Sequence, residues 1–223
     1  KNYPGIEVQP LKVKYPQGGE KQLIKALINR EVPSGGLPLD VGAVVHNVGT
    51  AFAVYEAVQK NKPLFERVVT VTGQLISKPS NFLVRIGTPI SQLIEAAGGL
   101  PEDTGKIING GPMMGKAVSS IDVPVTKGTS GILIISKDHA KRRKETTCVR
   151  CAKCVSVCPQ GLQPFLLIKQ TQLEKNDELE QNGVMDCIEC GSCSFTCPAG
   201  LPLLDYIRLG KSRVSKIIRS RKQ

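Results

Sequence analysis

Eight cysteines stand in two blocks, "CVRCAKCVSVCP" from Cys148 to Pro159 and "CIECGSCSFTCP" from Cys187 to Pro198, and the chain has no others. Each block spaces its cysteines by two, two and three intervening residues and closes on a proline. Seven matching positions, from Cys148/Cys187 to Pro159/Pro198, Gly161/Gly200 and Leu162/Leu201, share one offset of 39 residues. Two copies are too few for a solenoid and suit two pseudo-symmetric halves of one small domain. A disulfide scaffold would be shorter and would scatter its cysteines. The grouping points instead to thiolates on metal in a reducing compartment.

Three cysteines two residues apart can wrap one loop around three corners of an iron–sulfur cube. The fourth is carried away where the chain turns at proline, and in this bacterial-ferredoxin spacing it ligates the other cluster. Cys148, Cys151, Cys154 and Cys197 are therefore expected to hold one [4Fe–4S] cluster. Cys187, Cys190, Cys193 and Cys158 are expected to hold a second. Short residues nearby, Ala152, Gly191 and Ser192, let backbone amides approach cluster sulfides and adjust the potential. The alternative metal is zinc, but zinc ribbons use separated CxxC pairs that close one tetrahedron. A triple run with a distant fourth cysteine fits that poorly, and its duplication fits worse.

At 223 residues the chain has room for one large domain or two to three small ones. Formal net charge is +11, and seven Lys or Arg with no acid lie between Tyr206 and Gln223, so the rest of the chain carries only four of those net charges. A second basic cluster, Lys141 to Lys144, precedes the first cysteine. Such runs read as a solvated basic tail, or as contacts with anionic lipid, an acidic protein or nucleic acid. Oxidised clusters with four thiolates carry about −2 each, so part of the basic excess balances them and no nucleic-acid partner is expected. Aromatic residues make up only 4% and tryptophan is absent, which argues against a carbohydrate site or a base-stacking platform. No stretch approaches the roughly 20 apolar residues of a membrane span. With Lys1 first and no signal-peptide core, the chain is expected to be soluble and a piece of a longer protein.

The upstream two thirds read as mixed α/β. Ile6, Val8, Leu11 and Val13 suggest a strand, and "EKQLIKALIN" (Glu20 to Asn29) repeats Leu23/Leu27 and Ile24/Ile28 at helical spacing. "PSGGLP" from Pro33 is a loop and "VGAVVHNV" a short apolar strand. Thr50 then caps a helix to about Lys60 with Val54, Ala57 and Val58 inward. After a boundary at Asn61 to Pro63, "RVVTVTG", "NFLVRIG", "KIINGG" and "TSGILIIS" read as strands. A helix opened by Thr88 and Pro89 runs to Gly98-Gly99. "GGPMMG" (Gly110 to Gly115) is a turn needing backbone freedom, and Lys137 to Thr147 a charged linker. Between the cysteine blocks one helix is expected from Pro164 to near Gly183. After Cys197 another carries Leu203, Leu204, Ile207, Val214, Ile217 and Ile218 on one face, with Gly210 a candidate break.

Other chemistry is sparse. There is no GxGxxG, and Gly210-Lys211-Ser212 fails as a P-loop because Asp205 stands where its first glycine belongs. His139 lies in the charged linker and is expected to be exposed; His46 ends an apolar run and reads as core or site edge. No Ser/His/Asp set or carboxylate pair stands out. "YPQGGE" (Tyr15 to Glu20) puts a glycine pair before a helix, where amides can face a phosphate, though a plain turn is the favoured reading. "HNVGT" (His46 to Thr50) also ends a strand-like run and starts a helix, so both could face one crevice.

In order, "KYPQGGEKQLI", "REVPSGGLPLDVGAVVHNVGTAFAVYEAV", "RVVTVTG", "INGGPMMG" and the doubled cysteine motif make the chain resemble the C subunits of Rnf electron-transport complexes over essentially its whole length. The resemblance implies an α+β multi-domain chain. Residues 1–62 would be the C-terminal part of an FMN/NADH-binding α/β domain similar to the flavin subunit of complex I. Residues 63–137 would be a β-grasp domain of the SLBB kind, and 138–223 a two-cluster ferredoxin-type helical domain ending in a basic helix. It also implies that Tyr15, Gly18, Glu20, Asn47 and Thr50 lie on the flavin side. The complex I relative has an acid where Gly19 stands and an Asn where His46 stands. The family's glycine-rich flavin loop would precede residue 1, so these residues alone are expected to bind FMN weakly or not at all.

The implied function is relay of single electrons from NADH-reduced flavin through two clusters, at the cytoplasmic face of the bacterial inner membrane. Other Rnf subunits would be partners, and the basic C-terminal helix could meet anionic lipid. A cobalamin-reductase-like flavoprotein of microcompartments and a non-redox iron–sulfur scaffold or nucleic-acid-binding protein are the alternatives. The first check is compositional: anaerobically purified protein should be brown and contain acid-labile sulfide. Zinc without sulfide would overturn the cluster assignment.

Overall fold

The alternating runs after residue 65 pair into one mixed sheet. In the computed structural model, which describes residues 3–221, β1 (Glu66–Gly73) and β2 (Ser80–Arg85) form an antiparallel pair with Val69 opposite Phe82. β3 (Thr104–Asn109) pairs antiparallel with the two-residue β4 (Lys116–Ala117) on one edge and with β5 (Gly131–Ser136) on the other. β5 closes the sheet by running parallel to β1, giving the order β2-β1-β5-β3-β4. Alternation does the sorting: Val69 and Val71 are buried while Val68, on the opposite face of the strand, is exposed. Ile107, Ile132 and Ile134 complete the buried face against Ile90, Leu93, Ile94 and Ala97. Each large apolar side chain among these contributes about 1.5–3 kcal/mol on burial.

Before the sheet stand α1 (Glu20–Ile28) and α2 (Val48–Lys60), and α3 (Ile90–Ala96) covers the sheet face. α3 begins one residue later than expected, with Pro89 as its cap and no side-chain cap from Thr88. Its first amides are met otherwise: Ile90 N–H donates to Val123 O at 3.0 Å and Ser91 N–H to Ile121 O at 2.8 Å. The segment 121–125 thus replaces the cap. The "GGPMMG" turn carries Gly110 at φ 110°, and Gly115 N–H closes it onto Gly111 O at 2.8 Å.

Several local expectations fail for one reason. Residues 6–13 form no strand, and Val8 and Val13 lie exposed; 43–47 form none either, and His46 is exposed rather than core. α2 forms, but starting at Val48 rather than behind a Thr50 cap, and it buries no residue: Val54 and Val58 are exposed and Ala57 is too. Apolar periodicity needs a partner to become a buried face, and a lone strand leaves its backbone unpaired. Among the described residues no strand pairs with either N-terminal run.

The chain divides into two compact units: Lys1–Val48, Ala152–Cys193 and Leu203–Gln223 in one, Gly49–Cys151 and Ser194–Pro202, with the sheet, in the other. The sheet unit continues from β5 into the short α4 (Lys137–Ala140), where exposed His139 Nδ1 lies 2.9 Å from Ser136 Oγ. The first unit is helical: α5 (Lys153–Ser156), α6 (Pro164–Gln172), α7 (Asn176–Gln181), and α9 (Leu203–Ser220), which follows α8 (Ser192–Thr196). The single helix expected from Pro164 to Gly183 is two, broken where Glu174 turns to φ 56°. α9 is unbroken at Gly210 and buries Leu203, Leu204, Ile207 and Val214 along one stripe, with Ile217 and Ile218 half-buried.

Gly210 is there for closeness, not for a break. A Cβ at Gly210 would stand 2.5 Å from Thr171 Oγ1 and 3.2 Å from Leu179 Cδ1. Alanine gains about 1 kcal/mol in helix propensity, but overpacking costs about 1–3 kcal/mol. Gly210→Ala should therefore lower the melting temperature, and adding Thr171→Ala should recover part of the loss. A Gly210→Ala protein more stable than the parent in thermal unfolding would contradict this packing.

Candidate iron–sulfur site

The repeat seen in the cysteines recurs in the backbone. Arg150 and Glu189, at matched positions, have φ of 54° and 56°; Ala152 and Gly191, again matched, have 55° and 79°. Gly161 and Gly200 share φ 65°. A left-handed residue that is not glycine costs on the order of 1–2 kcal/mol, and three of these four loop positions accept it. Alternation of this kind turns successive amides toward one side of a loop, a concavity suited to anionic groups. One consequence is direct: Glu189 N–H points at Cys187 Sγ, 3.4 Å away. The short helices α5 and α8 begin at matched positions, Lys153 and Ser192, and so repeat the exit from each loop.

Within the helical unit, Cys158 lines the same cavity as Cys187, Cys190 and Cys193. Leu167, Leu204 and Ile207 supply its apolar wall, with Pro159 and Pro164 at the turn that carries Cys158 in. Cys190 and Cys193 are buried, Cys187 and Cys158 half-buried. Burial pushes the Cys187 thiol up; the Glu189 amide and the Lys211 ammonium oppose this, and the neighbouring Cys158 and Cys190 add to it. A bound cation reverses such a shift, since a coordinating thiol loses its proton outright. Ser192 Oγ lies 3.5 Å from Cys190 Sγ and can donate to it once the thiol has ionised.

The first set is distributed differently. Cys148, Cys151 and Cys197 belong to the sheet unit and Cys154 to the helical one. Cys148 and Cys151 are exposed and Cys197 is buried. In the sheet unit Thr146 N–H donates to Ala199 O at 2.9 Å, which lays the approach to Cys148 beside the exit from Cys197. Among the described residues no three His, Cys, Asp or Glu side chains meet closely enough for a single ion. Thiolates on one zinc lie about 2.3 Å from a common point; a four-iron cube is wider and keeps its thiolates further apart. The donor set, the shared cavity and the turned amides fit a cube at Cys158, Cys187, Cys190 and Cys193.

The basic C-terminal helix is tied into this site. Glu189, between Cys187 and Cys190, is bound by Arg208 Nε at 2.9 Å and Lys211 Nζ at 3.4 Å, and Lys211 also donates to Cys187 O at 2.5 Å. Arg213 reaches Thr171 O at 3.1 Å and Glu174 at 3.2 Å, and Arg221 pairs with Glu180 and Asp177. The sequence reading of this run as a tail missed these roles; the acids at 174, 177, 180 and 189 were the available signal.

Of the residues placed on the flavin side, Tyr15, Gly18 and Glu20 share the loop that opens α1; Asn47 precedes α2 in the same unit, and Thr50, in the first turn of α2, falls in the other. The glycine pair forms a turn rather than an open cradle, because Gly19 N–H is taken by Pro16 O at 2.7 Å. Tyr15 Oη donates to Cys190 O at 2.6 Å, and Ser34 Oγ to Asp186 Oδ2 at 2.6 Å. Two N-terminal loops are thus fastened to the second cysteine loop and its approach, a link absent from the sequence reading.

A helical module with doubled cysteine loops, a β-grasp-like sheet and an N-terminal segment fastened to the second loop define a modular iron–sulfur protein. Comparison with known families matches the Nuo51 FMN-binding domain over residues 1–56, the SLBB domain over 68–117 and the 4Fe-4S dicluster domain over 140–199. The chain is 50% identical over 93% of its length to the C subunit of the proton-translocating ferredoxin:NAD(+) oxidoreductase complex of Clostridium ljungdahlii, covering 46% of that protein. It is 49% identical over 94% of its length to the C subunit of the Na(+)-translocating ferredoxin:NAD(+) oxidoreductase complex of Acetobacterium woodii, covering 47%. To the C subunit of the ion-translocating oxidoreductase complex of Serratia proteamaculans it is 44% identical over 96%, covering 31%. The chain thus spans about half the length, or less, of these relatives, each the C subunit of an ion-translocating oxidoreductase complex.

Tyr15→Phe removes one part-buried hydrogen bond, worth about 0.5–1.5 kcal/mol. Amide exchange over residues 187–193 should speed up in that variant while the sheet unit is unchanged. Unaltered exchange there would show that the bond does not hold the loop.

Proposed function

We propose that this chain is the electron-relay part of the C subunit of an ion-translocating ferredoxin:NAD(+) oxidoreductase complex. The reading rests on one observation: Cys158, carried in from the first motif, lines one cavity with the three leading cysteines of the second. Clusters bound by these thiolates exchange one electron at a time, the chemistry needed between a two-electron carrier such as NADH with FMN and one-electron carriers. Cys158, Cys187, Cys190 and Cys193 would hold one cluster, and Cys148, Cys151, Cys154 and Cys197 the other. The chain's own part is to cage, position and screen: left-handed loop residues aim amides inward, Leu167, Leu204 and Ile207 exclude water, and Arg208 and Lys211 set positive charge beside the second loop.

On this reading the modules are 1–62 for the flavin side, 63–137 for the β-grasp sheet and 138–223 for the clusters. Tyr15, Gly18, Glu20, Asn47 and Thr50 would face FMN in the whole protein, and Tyr15 would also steady the second cluster loop through Cys190 O. The other subunits of the complex are the partners. No helix among the described residues is long and apolar enough to cross a membrane, in keeping with a peripheral place, which we assign to the cytoplasmic side. Lys216 and Arg219 of α9 have no acid partner among the described residues and are the cations open to anionic lipid.

The crossed arrangement is directly testable. Cys158→Ser should remove the cluster of the second motif, and Cys197→Ser that of the first. Each should halve the iron from about eight to about four per chain and abolish spin–spin interaction in the dithionite-reduced EPR spectrum. Loss of the first-motif cluster in Cys158→Ser would overturn the pairing.

A further inference from the structure

The repeat of 39 residues continues past the cysteine loops, since α6 and α9 begin at matched positions, Pro164 and Leu203. Three matched positions nevertheless differ in charge or polarity: Arg150 stands against Glu189, Lys169 against Arg208 and Gln172 against Lys211. In the second half the three residues meet. Glu189 is held by Arg208 Nε at 2.9 Å and Lys211 Nζ at 3.4 Å, and Lys211 also donates to Cys187 O. In the first half Arg150, Lys169 and Gln172 are all exposed.

Reduction of an iron–sulfur cluster adds one electron and one negative charge, with no bond made or broken. At the second motif that charge would arise beside the apolar wall of Leu167, Leu204 and Ile207 and the buried Cys190 and Cys193. Excluding water disfavours the more highly charged state. Cys148 and Cys151 of the first motif are exposed, so water screens the same charge there. The enclosed motif therefore needs a fixed counter-charge that the open one does not. Lys211 is placed to supply it. Its side chain is only 24% exposed, so its field is screened less than that of a surface lysine. Cys187 O and Glu189 fix the ammonium, and Gly210 next to it lets α9 lie close to Thr171. Within the trio Arg208 offsets the Glu189 carboxylate, and the Lys211 charge is left over.

We propose that Lys211, seconded by Arg208, is a built-in counter-charge that raises the reduction potential of the cluster held by the second motif and keeps it reducible in its enclosed site. The proposal rests on the relay reading above and adds to it the residues that make the two halves of the duplicated module electronically unequal. Glu189 acts in the opposite sense: its carboxylate repels an incoming electron, and the two cations of α9 overcome it.

The test uses the full chain, anaerobically reconstituted, with iron and acid-labile sulfide counted first. EPR-monitored titration with dithionite then gives the midpoint of each one-electron step, and the step that Cys190→Ser abolishes belongs to the second motif. Lys211→Met should lower that midpoint, making reduction at least about threefold less favourable. Lys211→Arg keeps the charge and should stay within about twofold of the parent. Glu189→Gln removes the acid, leaves both cations and should raise the midpoint, favouring reduction at least about threefold. If Lys211 only fastened α9 to the loop, its loss would admit water and raise the midpoint instead. A rise or no change in Lys211→Met, or equal shifts in Lys211→Met and Lys211→Arg, overturns the counter-charge alone. If Lys211→Met loads no clusters, Glu189→Gln decides, and an unchanged or lowered midpoint there overturns it. A parent chain that binds no clusters overturns the relay reading, and the counter-charge with it.

Discussion

Each cysteine loop passes through the left-handed region at two matched residues, and much of the helical unit serves to keep the second loop in that shape. Three of the four positions are not glycine, so the bend is held against a steric cost. The holding groups come from far along the chain: Tyr15 on Cys190 O, Lys211 on Cys187 O, Arg208 on Glu189 and Ser34 on Asp186. α9 can supply two of them because Gly210 lets it lie close to Thr171 and Leu179. Packing of one helix and geometry of one loop are thus a single problem.

Charge follows the same logic. Two oxidised clusters would add about −4 to a chain whose formal charge is +11. The cations are not spread evenly: α9 places some against Glu189 and the carbonyl of Cys187, while others sit at the unsheltered first loop. The exposed ion pairs contribute little stability individually. Their position matters more, since a fixed positive field favours thiolates and reduced clusters and steers acidic proteins.

How much of this was legible varied with what each element needed. The strands β1, β2, β3 and β5 and the helix α3 read correctly because each buries a face within one local sheet, so alternation and helical spacing translate directly into burial. The runs at 6–13 and 41–48 carried similar apolar patterns and formed no strand, for want of a pairing edge among the described residues. α2 formed, yet its apolar residues stayed unburied. Thr88 looked like a cap, but carbonyls of Ile121 and Val123 took the amides instead. Glu174 split a helix that the residue types permitted to continue.

For the site, residue type and spacing settled by themselves that the cysteines form two equivalent sets with metal-binding character, because thiolate chemistry and a repeat of 39 residues are properties of the chain. That the chain is a multi-domain α+β protein was implied by the family resemblance of its ordered motifs, and the change from alternating to helical period agreed with it. The spacing already set Cys158 with the second motif, whose cavity it lines; only the tertiary structure decided that Tyr15 reaches the Cys190 carbonyl across 175 positions and that one loop is wrapped while its twin is open. Those outcomes depend on which distant surfaces pack together, and a linear pattern holds no record of that.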